Sequence, residues 1–364
     1  MTIILFIIVL AVLILVHEFG HFITAKKLGM RVDEFGIGFP PRIFAIKKGE
    51  TEYSINSVPL GGFVKIFGED PDDTSINGPD KGRSLINKPK WAQAIVISAG
   101  VISNVIFAWF LIAIGFMIGL PVSVDQPGFE DALDQKVVIV DVKKDSPAMN
   151  ADLQIGDKLV SLSTESETIK DFGEDKMRDF ISVHGGEEIE IVIERGKNNT
   201  VTTSAIPIAG ILEGGYAIGI ATDVVGIAKL SFFDALWESA KLTKDLLIAI
   251  VESFAGFITS LFDGTGNFSN LAGPIGIVGM VGDASQFGWV YLLNFVAFIS
   301  INLAIINSIP FPALDGGRLL FIVIESIVRK NIKPIVTNTL NTIGFVLLIV
   351  LMIAVTYNDI LKLF

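Results

Sequence analysis

Residues 3–25 form an apolar run interrupted by one polar trio, His17, Glu18 and His21. About 20 apolar residues are what a helix needs to cross about 30 Å of hydrocarbon. Residues 92–120, 290–312 and 340–355 have the same character, the last extendable through Thr339 and Thr356. The chain is 51% hydrophobic and 18% charged, below the roughly one quarter usual for soluble domains. These runs predict a polytopic α-helical membrane protein with four transmembrane helices. The first run does not read as a cleaved signal peptide: residues 1–2 carry no Lys or Arg, and no small-x-small cleavage site follows.

The segments between the runs differ in charge. Residues 26–91 hold 11 basic against 9 acidic residues, and residues 313–338 hold 4 against 2. Lys and Arg concentrate in short cytoplasmic loops, so both segments are expected on the cytoplasmic side. Residues 121–229 carry 20 acidic and 10 basic residues and read as short strands and turns, with β-rich runs at 136–142 and 188–194. They are expected outside, with both termini. Residues 231–262 are amphipathic in their first half and more apolar in their second. They are read as interfacial or partly re-entrant, within a segment 230–289. The expected organisation is therefore 1–120 with its cytoplasmic loop 26–91, then 121–229, 230–289 and 290–364.

Composition limits the chemistry. There is no cysteine, which removes zinc ribbons, iron–sulfur clusters and thiolate nucleophiles. The net charge of −11 argues against a nucleic-acid partner, which needs clustered Lys and Arg. Of three histidines, two lie in His17-Glu18-Phe19-Gly20-His21. Spacing of four puts both imidazoles on one helical face, able to share a metal, with Glu18 beside them as general base. A carboxylate within a membrane helix costs about 2.5–3.5 kcal/mol and asks for a role. His184 reads as an exposed turn residue on the outer segment.

A catalytic zinc usually takes three protein ligands. With no thiolate and His184 outside, the third should be a carboxylate at membrane depth. Asp315, in Pro310-Phe311-Pro312-Ala313-Leu314-Asp315-Gly316-Gly317, is the best candidate; the competing reading is a helix-ending loop with a solvated aspartate. His17 lies about 24 Å along its helix from the outer end. Asp315 reaches that level only if residues 231–262 do not span. Asn307 is a candidate to polarise a scissile carbonyl, with helix–helix hydrogen bonding as the alternative.

The motif HEFGH and residues 307–321, NSIPFPALDGGRLLF, resemble the site-2 proteases, intramembrane zinc metalloproteases, most closely the bacterial regulator-of-sigma-E protease branch. Residues 59–65, PLGGFVK, are similar to that family's cytoplasmic β-hairpin motif, and residues 272–277, AGPIGI, to another of its signatures. Residues 138–162 resemble a bacterial PDZ domain; only one fits in 121–229, and Ser161-Leu162-Ser163 replaces the usual Asn-Gly turn.

The resemblance implies His17, His21 and Asp315 as Zn2+ ligands, Glu18 as catalytic base and Asn307 as the family asparagine. It implies a cytoplasmic membrane-associated β-hairpin region and an inserted extracytoplasmic α+β PDZ domain, in a bacterial cytoplasmic membrane. Substrates would be single-pass transmembrane proteins, such as anti-sigma factors or signal-peptide remnants. Candidate substrate-binding residues are Gly61, Gly62, Phe63 and Val64 in the hairpin, acting by β-augmentation, and Asn302 in the third run. The hairpin could instead merely pack on the lipid surface. The outer domain would exclude bulky substrates or bind peptide C-termini, through residues 214–220. The alternative function is a non-catalytic membrane PDZ adaptor for envelope proteins.

Overall fold

The computed structural model describes residues 1–70, 72–170, 172–196, 199–212, 215–264 and 273–361. Ala272 and Gly214, from two of the motifs above, lie outside the described residues. The helices are α1 (Thr2–Lys27), α2 (Asp73–Asn77), α3 (Lys90–Ile118), α4 (Pro147–Asn150), α5 (Glu174–Val183), α6 (Phe232–Phe262), α7 (Pro274–Phe287), α8 (Trp289–Ser308), α9 (Asp315–Val328) and α10 (Pro334–Leu361). The strands are β1 (Val32–Lys48), β2 (Thr51–Ile66), β3 (Leu120–Ser123), β4 (Leu133–Val142), β5 (Lys158–Ser163), β6 (Thr168–Lys170), β7 (Ile189–Arg195), β8 (Asn199–Ala205), β9 (Ile208–Leu212), β10 (Gly215–Ala217) and β11 (Ile220–Ala228).

Among the described residues five helices, α1, α3, α6, α8 and α10, are long and apolar enough to cross a membrane. Four coincide with the apolar runs. Helix α8 stops at Ser308, just before Pro310, whose ring cannot follow a helical residue without strain. The stretch read as interfacial or re-entrant is one continuous helix of 31 residues, α6, and so a fifth candidate. Its interior glycine, Gly256, costs only about 1 kcal/mol in a helix, too little to break one this long.

Contacts divide the chain into two compact units, one of Met1–Ala113, Leu236–Asp283 and Leu293–Phe364, the other of Ile114–Ala235 and Ala284–Leu292. In the first, α1 buries Val9, Leu13, His17, Gly20, His21 and Ala25, a stripe three and four residues apart. Ile3, Ile4, Ile8 and Val12 point outward and are exposed, the pattern of a helix solvated by lipid. Gly20 faces the Ala99 carbonyl and Ser103, where a Cβ would come within 2.4 Å of both. Small residues of this kind let membrane helices approach closely.

Strands β1 and β2 fold back on themselves. Residues 34–37 pair on one side with 52–55 and on the other with 62–65, while 51–56 also pair with 42–48. The expected hairpin is thus a doubled-back four-run sheet, ordered 42–48, 51–56, 34–37, 62–66. The doubling back falls at Gly38 (φ +78°), Pro40-Pro41 and Pro59, residues that bend or interrupt a ladder. One outer edge is residues 62–66. Ala25, Met30, Val32, Val64, Ile66, Leu85, Ala92, Val96 and Ile97 form one buried core joining this sheet to α1 and α3, with Leu319 and Ile322 of α9 packed on it. Lys26 and Arg83 each grip Glu50 at 2.6 Å, holding its carboxyl below its ordinary range and the β1–β2 turn against the end of α1.

The second unit is β-rich, with strand order β3-β11-β4-β5-β7-β8 and β6 paired to β5. Ile189, Ile191 and Ile193 of β7 are fully buried, the period of two expected where one face meets a core. Helix α5 covers that core with Met177, Phe180 and Ile181. Arg195 bridges the buried Asp157 at 2.8 Å and Asp152 at 3.2 Å; hydrogen bonds from Gln154 and Arg195 keep the Asp152 carboxyl low. His184 is buried, not an exposed turn residue: it ends α5, its Nδ1–H donating to the Phe180 carbonyl at 2.9 Å, its ring centroid 4.4 Å from that of Phe180.

Candidate metal centre

One helical turn of α1 presents His17 and His21 together, Nε2 to Nε2 at 3.1 Å. Asp315, the first residue of α9, brings Oδ2 to 3.0 Å from the His17 Nε2 and 3.2 Å from that of His21. Among the described residues these three are the group of His, Asp and Glu that could hold a metal ion. A helix N-terminus suits a carboxylate there.

The loop before α9 is built to deliver Asp315. A Cβ on Gly316 would lie 2.2 Å from the Ile309 carbonyl oxygen, and one on Gly317 2.2 Å from that of Phe311, so the chain turns where no side chain fits. Ala313 sits at φ +76°, a conformation costing an L-residue about 1–2 kcal/mol. Asn341 of α10 accepts the Ala313 N–H at 3.3 Å, and Gly344 lets α10 approach Pro312. Arg318 pairs with Glu69 and Lys90 with Glu325, tying α9 to the sheet end and to α3. An open cavity lined by Asp70, Ala313, Arg318, Asn341 and Thr342 reaches Asp315.

The protonation pattern favours a cation. The Nδ1 of His21 meets the Val96 carbonyl at 2.8 Å; a carbonyl only accepts, so Nδ1 carries a proton, and in the neutral ring the lone pair is on Nε2. Asp315 Oδ2 is buried without a hydrogen-bond partner, though two ring nitrogens lie within 3.2 Å. Ligands about 2.0–2.1 Å from a tetrahedral zinc stand about 3.3 Å apart. The 3.0–3.2 Å spacings fit that edge, and two imidazoles with one carboxylate suit zinc.

The other predicted residues distribute as follows. Glu18 adjoins the histidines; the Val64 backbone reaches its carboxylate, and a Cβ on Gly62 would lie 3.7 Å from its Cγ. The Phe63 ring covers Gly36 and the Phe39 ring covers Gly61. Asn307 lies in the last turn of α8, half-buried, with no side-chain hydrogen bond among the described residues. Asn302 turns back on its own helix, donating to the Phe298 carbonyl at 2.9 Å. Sequence reasoning missed Gly100 and Asn104 of α3. A Cβ on Gly100 would lie 2.3 Å from the His21 Nε2 and 2.7 Å from the His17 Cε1. Asn104 is fully buried, its amide 3.4 Å from the His17 Nδ1. Their spacing of four within an apolar run is the signal that could have found them.

Fold and site together define a multi-pass membrane metallopeptidase. The sequence profile of peptidase family M50 matches residues 5–351, and the chain belongs to that family. A Clostridium perfringens protein provisionally named a zinc metalloprotease is 35% identical over 362 residues, 99% of each chain. Regulator of sigma-W protease RasP of Bacillus subtilis is 30% identical, aligned over 100% of this chain and 99% of its own. Zinc metalloprotease RasP of Geobacillus kaustophilus is 30% identical over 100% and 98%. The protein is a zinc metalloprotease of the intramembrane type, and an adaptor without catalytic function is set aside.

Proposed function

We propose that His17, His21 and Asp315 hold the catalytic zinc, that Glu18 takes the proton of the hydrolytic water, and that Asn307 faces the scissile carbonyl. The observation that carries this reading is the convergence of two imidazole nitrogens and one carboxylate oxygen at 3.0–3.2 Å beside a second carboxylate. Bound zinc supplies Lewis acidity that activates water near neutral pH and polarises a carbonyl. The chain supplies position: α1 fixes Glu18 within one residue of His17, and the α9 turn fixes Asp315.

The substrate is an unwound stretch of a single-pass transmembrane protein, because a helical peptide bond has its carbonyl occupied. The edge 62–66 has no further strand beside it among the described residues, which supports a strand-addition role at its Gly62 end. Phe67 N–H pairs with the Arg31 carbonyl, whereas Ile66 N–H meets the Glu69 side chain and the Val64 backbone meets Glu18. Alternation along a strand therefore turns Gly62, Val64 and Ile66 away from β1, leaving the Gly62 backbone beside Glu18 for a peptide. Substitution Gly62→Pro removes that edge donor. It is expected to cut cleavage at least about tenfold while zinc content stays at the wild-type level; unchanged cleavage would refute strand addition.

The membrane reading has four spans, α1, α3, α8 and α10, in a bacterial cytoplasmic membrane, with the site toward the cytoplasm. Gly282 of α7 sits on Thr2 at the start of α1, and Asp359 near the end of α10 accepts the Gly273 and Gly276 N–H groups at 3.1 and 2.9 Å. Both ends of α7 thus belong at the outer level. A crossing by α6 would reverse the direction of α8 and put Asp315 at the outer side, away from His17 and His21, which it meets at 3.0 and 3.2 Å. Helix α6 therefore lies at the outer interface. The β-rich unit is a single extracytoplasmic PDZ domain of the regulator-of-sigma-E protease type. Its groove between α5 and β10–β11, lined by Met177, Ile181, Tyr216 and Ile218, supports a peptide C-terminus as ligand, and the domain's bulk excludes large substrates.

The test is cleavage of a purified transmembrane substrate in vesicles. Cuts are expected within its apolar segment, stopped by a chelator and restored by zinc. Cleavage confined to soluble loops, or indifferent to chelation, would overturn the reading.

A further inference from the structure

Asn104 is a polar side chain placed where an apolar one would insert more cheaply. It lies in the middle of α3, has no exposed surface, and is covered by α8, whose Ser300 hydroxyl donates to the Asn104 carbonyl at 2.9 Å. Its Nδ2 faces the His17 Nδ1 at 3.4 Å, and its Oδ1 is buried with no hydrogen-bond partner. An asparagine serving only to join helices would have both ends engaged with a neighbouring helix.

The two histidines are held differently from behind. His21 has the Val96 carbonyl, which fixes its proton on Nδ1. His17 has only the Asn104 amide. For the His17 Nε2 to offer a lone pair, the ring proton must sit on Nδ1, and its partner must accept. A half-turn of the Asn104 amide puts Oδ1 in that place. With Nδ2 there, as the structure places it, the neutral His17 ring carries its proton on Nε2, where it can point at Asp315. The amide therefore serves both tautomers, which a carbonyl such as that of Val96 cannot do.

We infer that Asn104 is a positioning residue for the metal centre: its side-chain oxygen accepts the His17 Nδ1–H, selects the tautomer with Nε2 free, and aims the ring between His21 and Asp315. The inference rests on the zinc reading above. Outer partners of metal-bound histidines typically contribute about 10–100-fold to metal affinity.

The experiment measures zinc affinity of the full-length detergent-solubilised protein by chelator competition, with the visible spectrum of the cobalt(II)-loaded form as a second readout. Substitution Asn104→Leu fills the same space without an acceptor and is expected to weaken zinc about 10–100-fold and to alter the cobalt bands. Asn104→Ala, which leaves space instead of filling it, is expected to lose as much. Asn104→Asp keeps an acceptor and is expected to stay within about threefold of wild type, with the wild-type spectrum. Wild-type affinity in both Leu and Ala variants, or equal loss in Asp and Leu variants, overturns the inference. Asp315→Ala, measured alongside, separates the two claims: if it too binds zinc as wild type does, the zinc reading has failed and not merely the role of Asn104.

Discussion

Substitution Glu18→Gln is expected to abolish cleavage in a protein that still folds, inserts and binds one zinc. The amide is the same size as the carboxylate, so the packing of α1 against α3 is untouched. Glu18 is not one of the three converging donors, so the metal remains. What disappears is a carboxylate one residue from His17, with the Val64 backbone at it, in the place proposed for the base. General-base removal typically costs about 10²–10⁴-fold in rate. Because Gln cannot accept a proton at all, the upper end is expected. Cleavage of a transmembrane substrate in vesicles, with zinc content in the same preparation, measures both halves. Residual cleavage within tenfold of wild type would remove Glu18 from the base role.

The second large effect comes from a residue that bears no chemistry. Gly100 sits where α3 passes directly over the histidine pair, and a Cβ there would stand 2.3 Å from the His21 Nε2. Substitution Gly100→Val must either rotate that ring or push α1 from α3. Both break the 3.1 Å approach of the two Nε2 atoms. Zinc affinity is expected to fall about 100-fold or more, the upper end of what disturbing the outer surroundings of a ligand costs. The accompanying overpacking is expected to cost about 1–3 kcal/mol. Gly100→Ala is expected to show a smaller loss of the same kind, since its single methyl leaves less to displace. Chelator competition on both variants reads the series. Wild-type zinc affinity in Gly100→Val would mean that the helices do not meet this closely.

Much of the centre was legible in the sequence because its chemistry is local. His17 and His21 are four residues apart on one helix, and the helical period alone makes them neighbours. Asp315 was legible by scarcity: no thiolate, one remaining histidine on the outer segment, and a carboxylate next to two helix-breaking prolines. The parts that escaped depend on contacts far apart in the chain. Gly100 and Asn104 reach the histidines across 75 residues or more, and nothing in an apolar run says which face meets α1. The four-run sheet escaped because a simple hairpin and a doubled-back one share one alternation; only the pairing of 34–37 on both sides distinguishes them. His184 read as exposed because the Gly185-Gly186 pair after it signals a turn, yet it closes the last turn of α5 against Phe180. Asn302 shows the limit of a polar residue in a span as a signal: its amide is absorbed by the helix that carries it.

The central claim is that two histidines of the first helix and one aspartate 294 residues after His21 hold a single ion. Zinc content per chain, compared between wild type and Asp315→Ala after dialysis against a weak chelator, addresses it most directly. About one zinc per wild-type chain is expected, and loss of nearly all of it in the variant, with the apo proteins equally folded. Full zinc retention by Asp315→Ala would contradict it.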